Sequence, residues 1–295
     1  MINFIGKRNI FFIFSGVLVL ISIIFIIIFG FETNVDFKGG TKWDFSYHQA
    51  INKNEIDNAF KEIFAGENFS VNYLQDKIVV RLPLLNEEEH HKYLNEIQNK
   101  LPYLNEASFF SIGPSISAAI IRKAILAIVL VLVGISGYIA WAFRKVSKKI
   151  KSWKYGVVTL LTLLHDVSIP AGMLAILGKI KGVEIDSNFI VALLTVMGFS
   201  VHDTIVVFDR IRENLLVYKN SKETLDKIFN FSINETLTRS INTSLTLFLV
   251  LFVLLILGPS NLFYFILTIL VGTIFGTYSS ICIASPLLYL WSRDE

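Results

Sequence analysis

One apolar stretch of this chain carries ionisable side chains at a depth where a membrane would surround them. Residues 198–214 read GFSVHDTIVVFDRIREN, in which His202, Asp203 and Asp209 crowd one predicted helix together with Arg210. A charged side chain inside hydrocarbon is costly and normally faces a bundle interior or a water-filled path. These residue types therefore indicate proton or ion transfer through a membrane.

The composition indicates the class of protein in which that chemistry would occur. Of the 295 residues, 53% are hydrophobic, and the mean hydropathy is +0.58. These values favour a polytopic membrane protein over a soluble domain. The single cysteine, Cys282, excludes an intrachain disulfide. The first apolar run, residues 10–30, is long enough to cross ~30 Å of hydrocarbon, so we expect a retained anchor rather than a cleaved signal.

Six apolar blocks predict membrane-spanning helices, and the intervals between them predict the topology. The blocks cover residues 10–30, 117–143, 155–178, 187–208, 239–258 and 262–291. The N-terminus and the intervals 144–154 and 209–238 are rich in Lys and Arg, which the positive-inside rule assigns to the cytoplasm. Both termini are therefore predicted to be cytoplasmic, with the intervals 179–186 and 258–261 on the outer side.

The long interval 31–116 is predicted to fold as a small external domain between the first two spans. Predicted strands cover 41–47, 69–74, 77–82 and 107–112, predicted helices cover 53–64 and 86–101, and a turn is predicted at Gln75 and Asp76. This β-α-β-β-α-β order favours a ferredoxin-like α+β domain. The predicted fold class is thus an α-helical membrane protein with six transmembrane helices, three segments (1–30, 31–116, 117–295) and one external α+β domain. His90 and His91 have no partner at metal spacing, so we expect them on a solvated helix face.

Other polar residues lie within the third and fifth blocks. His165 and Asp166 lie about halfway across the third block, four residues before Pro170, whose kink would let water or another helix satisfy them. Asp203 lies roughly 22 Å from the outer end of the fourth block. Arg239 lies about 28 Å from the outer face, within one helical turn of the depth of Asp203.

Two roles are open for these intramembrane groups. Arg239 can snorkel to water or pair with Asp203, and Thr243 and Thr246 lie on its stripe, where their hydroxyls can bond across helices or hold a water wire. Alternatively, the polar groups only hold the bundle together, as we expect for the small-residue pattern of residues 272–276.

Four segments together resemble the SecF family of protein-export membrane proteins, which belongs to the SecD/SecF group of the resistance-nodulation-division (RND) superfamily. NVDFKGGT (34–41) looks like the family's D-F-x-G-G motif, and FSIGPSIS (110–117) looks like its Gly-Pro segment. The stretch 198–214 looks like its fourth-span signature, and NETLTRSINTSLT (234–246) looks like its fifth. The motif residues are Asp36, Phe37, Gly39, Gly40, Asp209 and Arg210. The two glycines form either a flexible linker or a fixed backbone bend.

The resemblance implies an accessory subunit of the Sec translocase in the bacterial cytoplasmic (inner) membrane, not an enzyme. It implies SecD as a partner, together with the SecYEG channel, YidC, the translocating preprotein and membrane lipid. No nucleic acid is expected as a partner. No cofactor is implied, since the proton gradient supplies the energy. The family's proton-path aspartate maps onto Asp203 and its membrane arginine onto Arg239.

The implied proton relay also includes His202, Asp166 and His165. His202 stands where the family usually has asparagine. It can change the proton affinity of Asp203 or carry a second proton near neutral pH. Whether the transported ion is a proton or sodium therefore stays open. We expect Asp203 to take a proton from outside, weaken its pairing with Arg239 and so shift the helices. A proton crossing ~150 mV would supply ~3.5 kcal/mol for this shift.

Three alternatives remain at this point. An RND-type proton-coupled exporter half for small molecules or lipids shares the six spans, although such exporters normally carry both halves in one chain. An intramembrane protease is disfavoured because the chain lacks H-E-x-x-H and a Gly-flanked serine nucleophile. An assembly factor without transport would need no proton flux.

Overall fold

The computed structural model describes residues 1–47, 51–73, 77–144, 150–219 and 221–293. Within these ranges six helices are long and apolar enough to cross a membrane, which confirms the predicted number of spans. They are Arg8–Phe29, Pro114–Ala142, Ser152–Lys181, Ser187–Val217, Leu225–Leu257 and Ser260–Ser292. The chain divides into two compact units, a membrane-spanning unit of Met1–Glu32 with Ile125–Glu295 and a second unit of Thr33–Ala124.

The elements of the membrane-spanning unit are labelled in chain order. They are α1 (Arg8–Phe29), α5 (Pro114–Ala142, whose first turns belong to the second unit), α6 (Ser152–Lys181), α7 (Ser187–Val217), α8 (Leu225–Leu257), α9 (Phe263–Ser279) and α10 (Ser285–Ser292). A π-helical turn, Ser280–Ala284, joins α9 to α10 within the last span. Pro286 has no N–H to donate to the carbonyl four residues before it, and a π-turn accommodates that loss.

The predicted cytoplasmic loop 209–238 is wrong in its extent, because two helices continue through most of it. α7 runs on to Val217, and α8 already begins at Leu225. Polar contacts hold these extensions together: Asn214 Nδ2 donates to Ser232 Oγ at 3.0 Å and to Glu235 Oε2 at 2.9 Å. Of the other predicted loop, residues 145–149 lie outside the described residues.

Helices α7 and α9 approach closely through two glycines. A Cβ on Gly272 would lie 2.2 Å from Val196 Cγ2, and one on Gly276 would lie 3.0 Å from Ser200 Cβ. The absence of a side chain at both positions is what permits this approach. The small-residue pattern at 272–276 therefore serves helix packing, as predicted.

The second unit contains a four-stranded antiparallel sheet with two helices. Its elements are α2 (Val35–Lys38), β1 (Gly40–Ser46), α3 (Lys53–Ile63), β2 (Ser70–Tyr73), β3 (Lys77–Leu82), α4 (Glu87–Lys100) and β4 (Asn105–Ile112). The strand order is β2-β3-β1-β4, and every neighbouring pair is antiparallel. The core side chains Trp43, Phe45, Phe60, Ile78 and Val80 are completely buried. The predicted turn at Gln75 and Asp76 lies outside the described residues.

Local capping explains where the two longer helices of this unit begin. Asn52 accepts a hydrogen bond from Asn54 N at the start of α3. Asn86 and Glu89 form a reciprocal capping box at the start of α4. Each satisfies backbone N–H groups that the first turn of a helix leaves without partners.

The expected solvated face for His90 is wrong. His90 is buried, its Nε2 lies 3.1 Å from Glu106 Oε1, and its ring stacks on Phe109 with the centroids 3.8 Å apart. The strand β4 supplies both contacts, which no local spacing in α4 reveals. His91 is exposed, as expected.

The D-F-x-G-G segment forms a fixed bend rather than a flexible linker. Asp36 and Phe37 lie in the single turn of α2, and Gly39 and Gly40 follow with φ of 74° and 100°. A Cβ on Gly40 would lie 2.8 Å from the carbonyl oxygen of Leu82. Both the left-handed backbone and this close approach require glycine.

Candidate functional site

Asp203 lies at a meeting point of three membrane helices. Its side chain, on α7, is 1% exposed, and Oδ2 accepts hydrogen bonds from Ser244 Oγ of α8 and Thr277 Oγ1 of α9, both at 3.2 Å. The two hydroxyl oxygens lie 2.5 Å from each other. We call Asp203, Ser244 and Thr277 the Asp203 centre.

The hydroxyls of the Asp203 centre have more acceptors than protons. Ser244 Oγ also reaches the carbonyl of Ser240 at 2.8 Å, and Thr277 Oγ1 reaches the carbonyl of Thr273 at 3.0 Å. A hydroxyl donates only one hydrogen bond at a time. Both hydroxyls can therefore donate to an ionised Asp203. When Asp203 is protonated, both can turn to their own helices, and one of them accepts the single carboxyl O–H.

A second buried carboxylate, Asp166 of α6, has a different environment. Its side chain is completely buried, Oδ1 lies 2.8 Å from His165 Nδ1, and Oδ2 accepts a short hydrogen bond from Ser200 Oγ of α7. His165 is itself buried, and its Nε2 has no partner among the described residues. We call His165, Asp166 and Ser200 the Asp166 centre. It links α6 to α7.

The structure does not bring Arg239 to Asp203. Arg239 is exposed, and no ion pair among the described residues joins it to that carboxylate. At the Asp203 centre, α8 contributes the hydroxyl of Ser244 where we predicted the guanidinium of Arg239. The predicted pairing is therefore wrong for this structure.

The predicted hydroxyl stripe also lies on the wrong face of α8. Thr243 donates to the carbonyl of Arg239 at 2.9 Å, and Thr246 donates to that of Thr243 at 2.7 Å, so both bond only within their own helix. The stripe that faces Asp203 is Ser240 and Ser244, one residue along from the predicted one. Adjacent residues on a helix point about 100° apart, so this shift changes the face completely.

His202 does not join the buried centre. It precedes Asp203 directly, but its side chain is exposed on α7. The five predicted relay residues are thus distributed over the Asp203 centre, the Asp166 centre and two exposed positions, His202 and Arg239.

A charged cavity opens beside the C-terminal end of α7 and the N-terminal end of α8. Its volume is about 420 Å³, and its lining is formed by Val206, Asp209, Arg210, Glu213, Glu235, Thr236 and Arg239. We call it the α7–α8 cavity. Arg210, a predicted motif residue, binds Glu235 of α8 through two hydrogen bonds of 2.6 Å and Glu213 through a third of 2.6 Å. Asp209, the other motif residue, pairs with Arg212 at 2.9 Å.

Sequence reasoning missed Ser240, Ser244 and Thr277. A usable signal was present, because Ser240 and Ser244 on α8, like Thr273 and Thr277 on α9, are spaced i, i+4 within apolar blocks. Nothing in the sequence selects these hydroxyls over Thr243 and Thr246. Within the described ranges, no three His, Cys, Asp or Glu side chains are arranged to hold a metal ion.

Known proteins share this architecture and about a third of the residues of this sequence. The family model for "Protein export membrane protein SecD/SecF, C-terminal" matches residues 92–294. A protein translocase subunit SecF from Thermobaculum terrenum is 38% identical over 307 residues, which covers 100% of this chain and 95% of the relative. A subunit of the same name from Anaerolinea thermophila is 34% identical and covers 100% of this chain and 96% of the relative.

A solved structure is similar over the same length. The crystal structure of SecDF from Thermus thermophilus, described as a translocon-associated membrane protein, matches with a TM-score of 0.83 at 32% identity over 99% of this chain. SecDF in its super-membrane-facing form matches with a TM-score of 0.69 at 30% identity. This chain spans 39% of the length of each solved SecDF chain.

Proposed function

We propose, because the chain belongs to the SecD/SecF family of protein-export membrane proteins, that it acts as an accessory subunit of the Sec translocase. In this role it uses the proton-motive force to help exported chains cross the bacterial cytoplasmic membrane. The relatives named above are translocase subunits, which favours protein export over the alternative of an exporter half for small molecules or lipids.

SecD is the proposed partner for the membrane-spanning unit. The solved SecDF chains are more than twice as long as this one, so the remainder of each supplies a partner half within one chain. An arginine on a membrane helix normally pairs with an anionic group or a carbonyl. Arg239 is exposed and has no carboxylate partner among the described residues, so we propose that SecD supplies one. SecYEG, YidC and the exported preprotein are proposed as further partners.

We propose the topology from the segments that lie together. Asn230 and Asn234 of α8 bind the backbone of Ile5 and Ile2, and Lys154 binds the carbonyl of Trp291, so the predicted inner segments meet in pairs. At the other end, Ile185 N donates to the carbonyl of Glu32. With the positive-inside rule, this supports cytoplasmic termini and an external second unit. The strand order of that unit supports a ferredoxin-like domain.

The observation that carries the proposal is the pair of hydroxyls at Asp203. Ser244 and Thr277 satisfy the carboxylate when it is ionised and can turn to their own helix carbonyls when it is protonated. Asp203 can therefore take a proton from the outer side and release it inward without leaving a buried polar group unsatisfied. Since α7, α8 and α9 meet at this residue, each change of charge alters the contacts between the three helices.

The test is the Asp203→Asn variant, co-reconstituted with the SecD half in vesicles under an imposed proton gradient. We expect proton flux to fall at least tenfold, and export to fall in cells that carry only this variant. The control is Asp226→Asn, which removes a carboxylate at the start of α8, where no ion pair is formed among the described residues. Unchanged flux and export in Asp203→Asn would refute the proposal. Flux that follows a sodium gradient instead would replace the proton with sodium.

A further inference from the structure

Two buried hydroxyls flank the Asp203 centre along the direction of the membrane helices. Ser240 on α8 lies one turn before Ser244, and Thr273 on α9 lies one turn before Thr277. The two helices are consecutive spans and run in opposite directions. Ser240 is therefore displaced from Asp203 toward the proposed cytoplasmic side, and Thr273 is displaced toward the outer side.

These two hydroxyls differ from their neighbours in having no partner. Each is 1% exposed, and neither Ser240 Oγ nor Thr273 Oγ1 makes a hydrogen bond with a described residue. Other hydroxyls on the same helices bond to the carbonyl four residues earlier, as Thr236 does at 3.1 Å and Thr268 does at 2.7 Å. Buried polar groups are almost always hydrogen-bonded, so two exceptions beside one carboxylate require an explanation.

Solvent comes close to Ser240, the hydroxyl nearer the proposed cytoplasmic side. Thr236 and Arg239, four residues and one residue before Ser240, line the α7–α8 cavity. Its volume of about 420 Å³ is large enough to hold several water molecules. The cavity also contains the carboxylates of Asp209, Glu213 and Glu235, which accept hydrogen bonds from water. Water in the cavity thus reaches within one helical turn of Ser240.

We propose that Thr273 is the entry hydroxyl and Ser240 the exit hydroxyl of a proton path through Asp203, and that the α7–α8 cavity is its inner mouth. This inference rests on the proposed function and names its route. A proton from the outer side forms a new O–H bond at Thr273 while the old one breaks. Because Thr273 Oγ1 makes no hydrogen bond with Thr277, a bridging water molecule carries the released proton to Thr277, which passes one to the Asp203 carboxylate.

Release on the inner side follows the same rule. Asp203 gives its proton to Ser244, a bridging water molecule carries one from Ser244 to Ser240, and Ser240 passes one to water in the cavity. Each hydroxyl gains one proton and loses one, so the side chains end unchanged and one proton has crossed. Water molecules that carry the proton supply the hydrogen-bond partners that Ser240 and Thr273 lack among the described residues.

The experiment measures proton flux in vesicles that contain the full chain with its SecD half. The variants are Thr273→Val, which keeps the shape and removes the hydroxyl, and Ser240→Ala. The matched control is Thr268→Val on α9, also buried, whose hydroxyl bonds only to the carbonyl of Tyr264. Thr273→Ser and Ser240→Thr restore the hydroxyl. Asp203→Asn is measured in the same series.

We expect Thr273→Val and Ser240→Ala each to slow the flux about tenfold, while Thr268→Val and the two restoring variants keep it. Wild-type flux in both hydroxyl variants, with flux lost in Asp203→Asn, would overturn the path and leave the proposed function standing. Slow flux in Thr268→Val or in the restoring variants would also overturn it, because packing would then explain the loss. Unchanged flux in Asp203→Asn would remove the proposed function and this path together.

Discussion

The two buried carboxylates of the membrane-spanning unit differ in how much their partners depend on them. At the Asp203 centre, Ser244 and Thr277 each reach a carbonyl of their own helix as well as the carboxylate. At the Asp166 centre, His165 Nδ1 and Ser200 Oγ have Asp166 as their only hydrogen-bond partner among the described residues. When Asp203 changes its charge, Ser244 and Thr277 have carbonyls of their own helices as alternative partners. Among the described residues, His165 Nδ1 and Ser200 Oγ have no alternative to Asp166.

This difference suits Asp203 to proton transport and Asp166 to holding two helices together. Asp166 joins α6 to α7 in a completely buried site, and the α7–α8 cavity does not include it. Asp203 lies within two helical turns of that cavity along α7, since Val206 and Asp209 line it. We therefore propose that proton exchange takes place at Asp203 and that Asp166 fixes the spacing of α6 and α7. The relay role predicted for His165 and Asp166 stays a prediction.

The largest expected effect on stability comes from removing the carboxylate of Asp166, which joins α6 to α7. Asp166→Ala leaves His165 Nδ1 and Ser200 Oγ buried without partners, at about 1–3 kcal/mol for each group. Asp203→Ala is expected to cost less than about 1 kcal/mol, because Ser244 and Thr277 keep their carbonyl partners. Unfolding of both variants in detergent measures the two costs. Equal costs would contradict the distinction between the two centres.

A smaller effect is expected from the contact that holds α9 against α7. Gly272→Ala places a Cβ 2.2 Å from Val196 Cγ2, and such overpacking costs about 1–3 kcal/mol. Gly134→Ala in α5 is the control, since nothing lies within 4 Å of its Cβ and alanine favours a helix by about 1 kcal/mol. Because Thr277 lies on α9, we also expect Gly272→Ala to reduce proton flux. A Gly272→Ala protein as stable as the wild type would show that α9 is held elsewhere.

The smallest effect concerns a carboxylate outside the membrane, which serves as a reference for the two inside. Lys100 donates a 2.5 Å hydrogen bond to Glu62 and holds the pKa of that exposed carboxyl below its ordinary value of 4.5. A depressed pKa in the folded state means that the ion pair contributes to stability above the ordinary pKa and is lost as the pH falls through the folded value. In Lys100→Gln, a carbon-13 NMR titration should find the pKa of Glu62 raised toward 4.5. An unchanged pKa would show that Lys100 does not cause the shift.

Much of the fold could be predicted because apolar length and turn chemistry are local signals. The six spans, the element order of the second unit and the glycine pattern at 272–276 each depend on residues that are close in sequence. Helix ends were less predictable, since α7 and α8 continue past the apolar blocks through contacts such as Asn214 with Ser232.

The candidate site was predictable only in part, because a sequence does not fix how a helix is rotated. Asp203 stood out as a charge among apolar residues, but α8 carries hydroxyls on two faces and only one of them faces Asp203. The predicted partner Arg239 lies at a suitable depth on the wrong face, whereas Thr277 comes from a helix 74 residues further along the chain. His90 follows the same pattern, since its partners Glu106 and Phe109 belong to another element.

The most direct test of the central claim is to observe the proton on Asp203. Infrared difference spectra between acidic and alkaline buffer, recorded on the chain together with the proposed SecD partner, report the carbonyl stretch of a protonated carboxyl group. We predict a band at membrane-buried frequency that disappears in Asp203→Asn and remains in Asp166→Asn. A band that remains in Asp203→Asn and disappears in Asp166→Asn would contradict the assignment of proton exchange to Asp203.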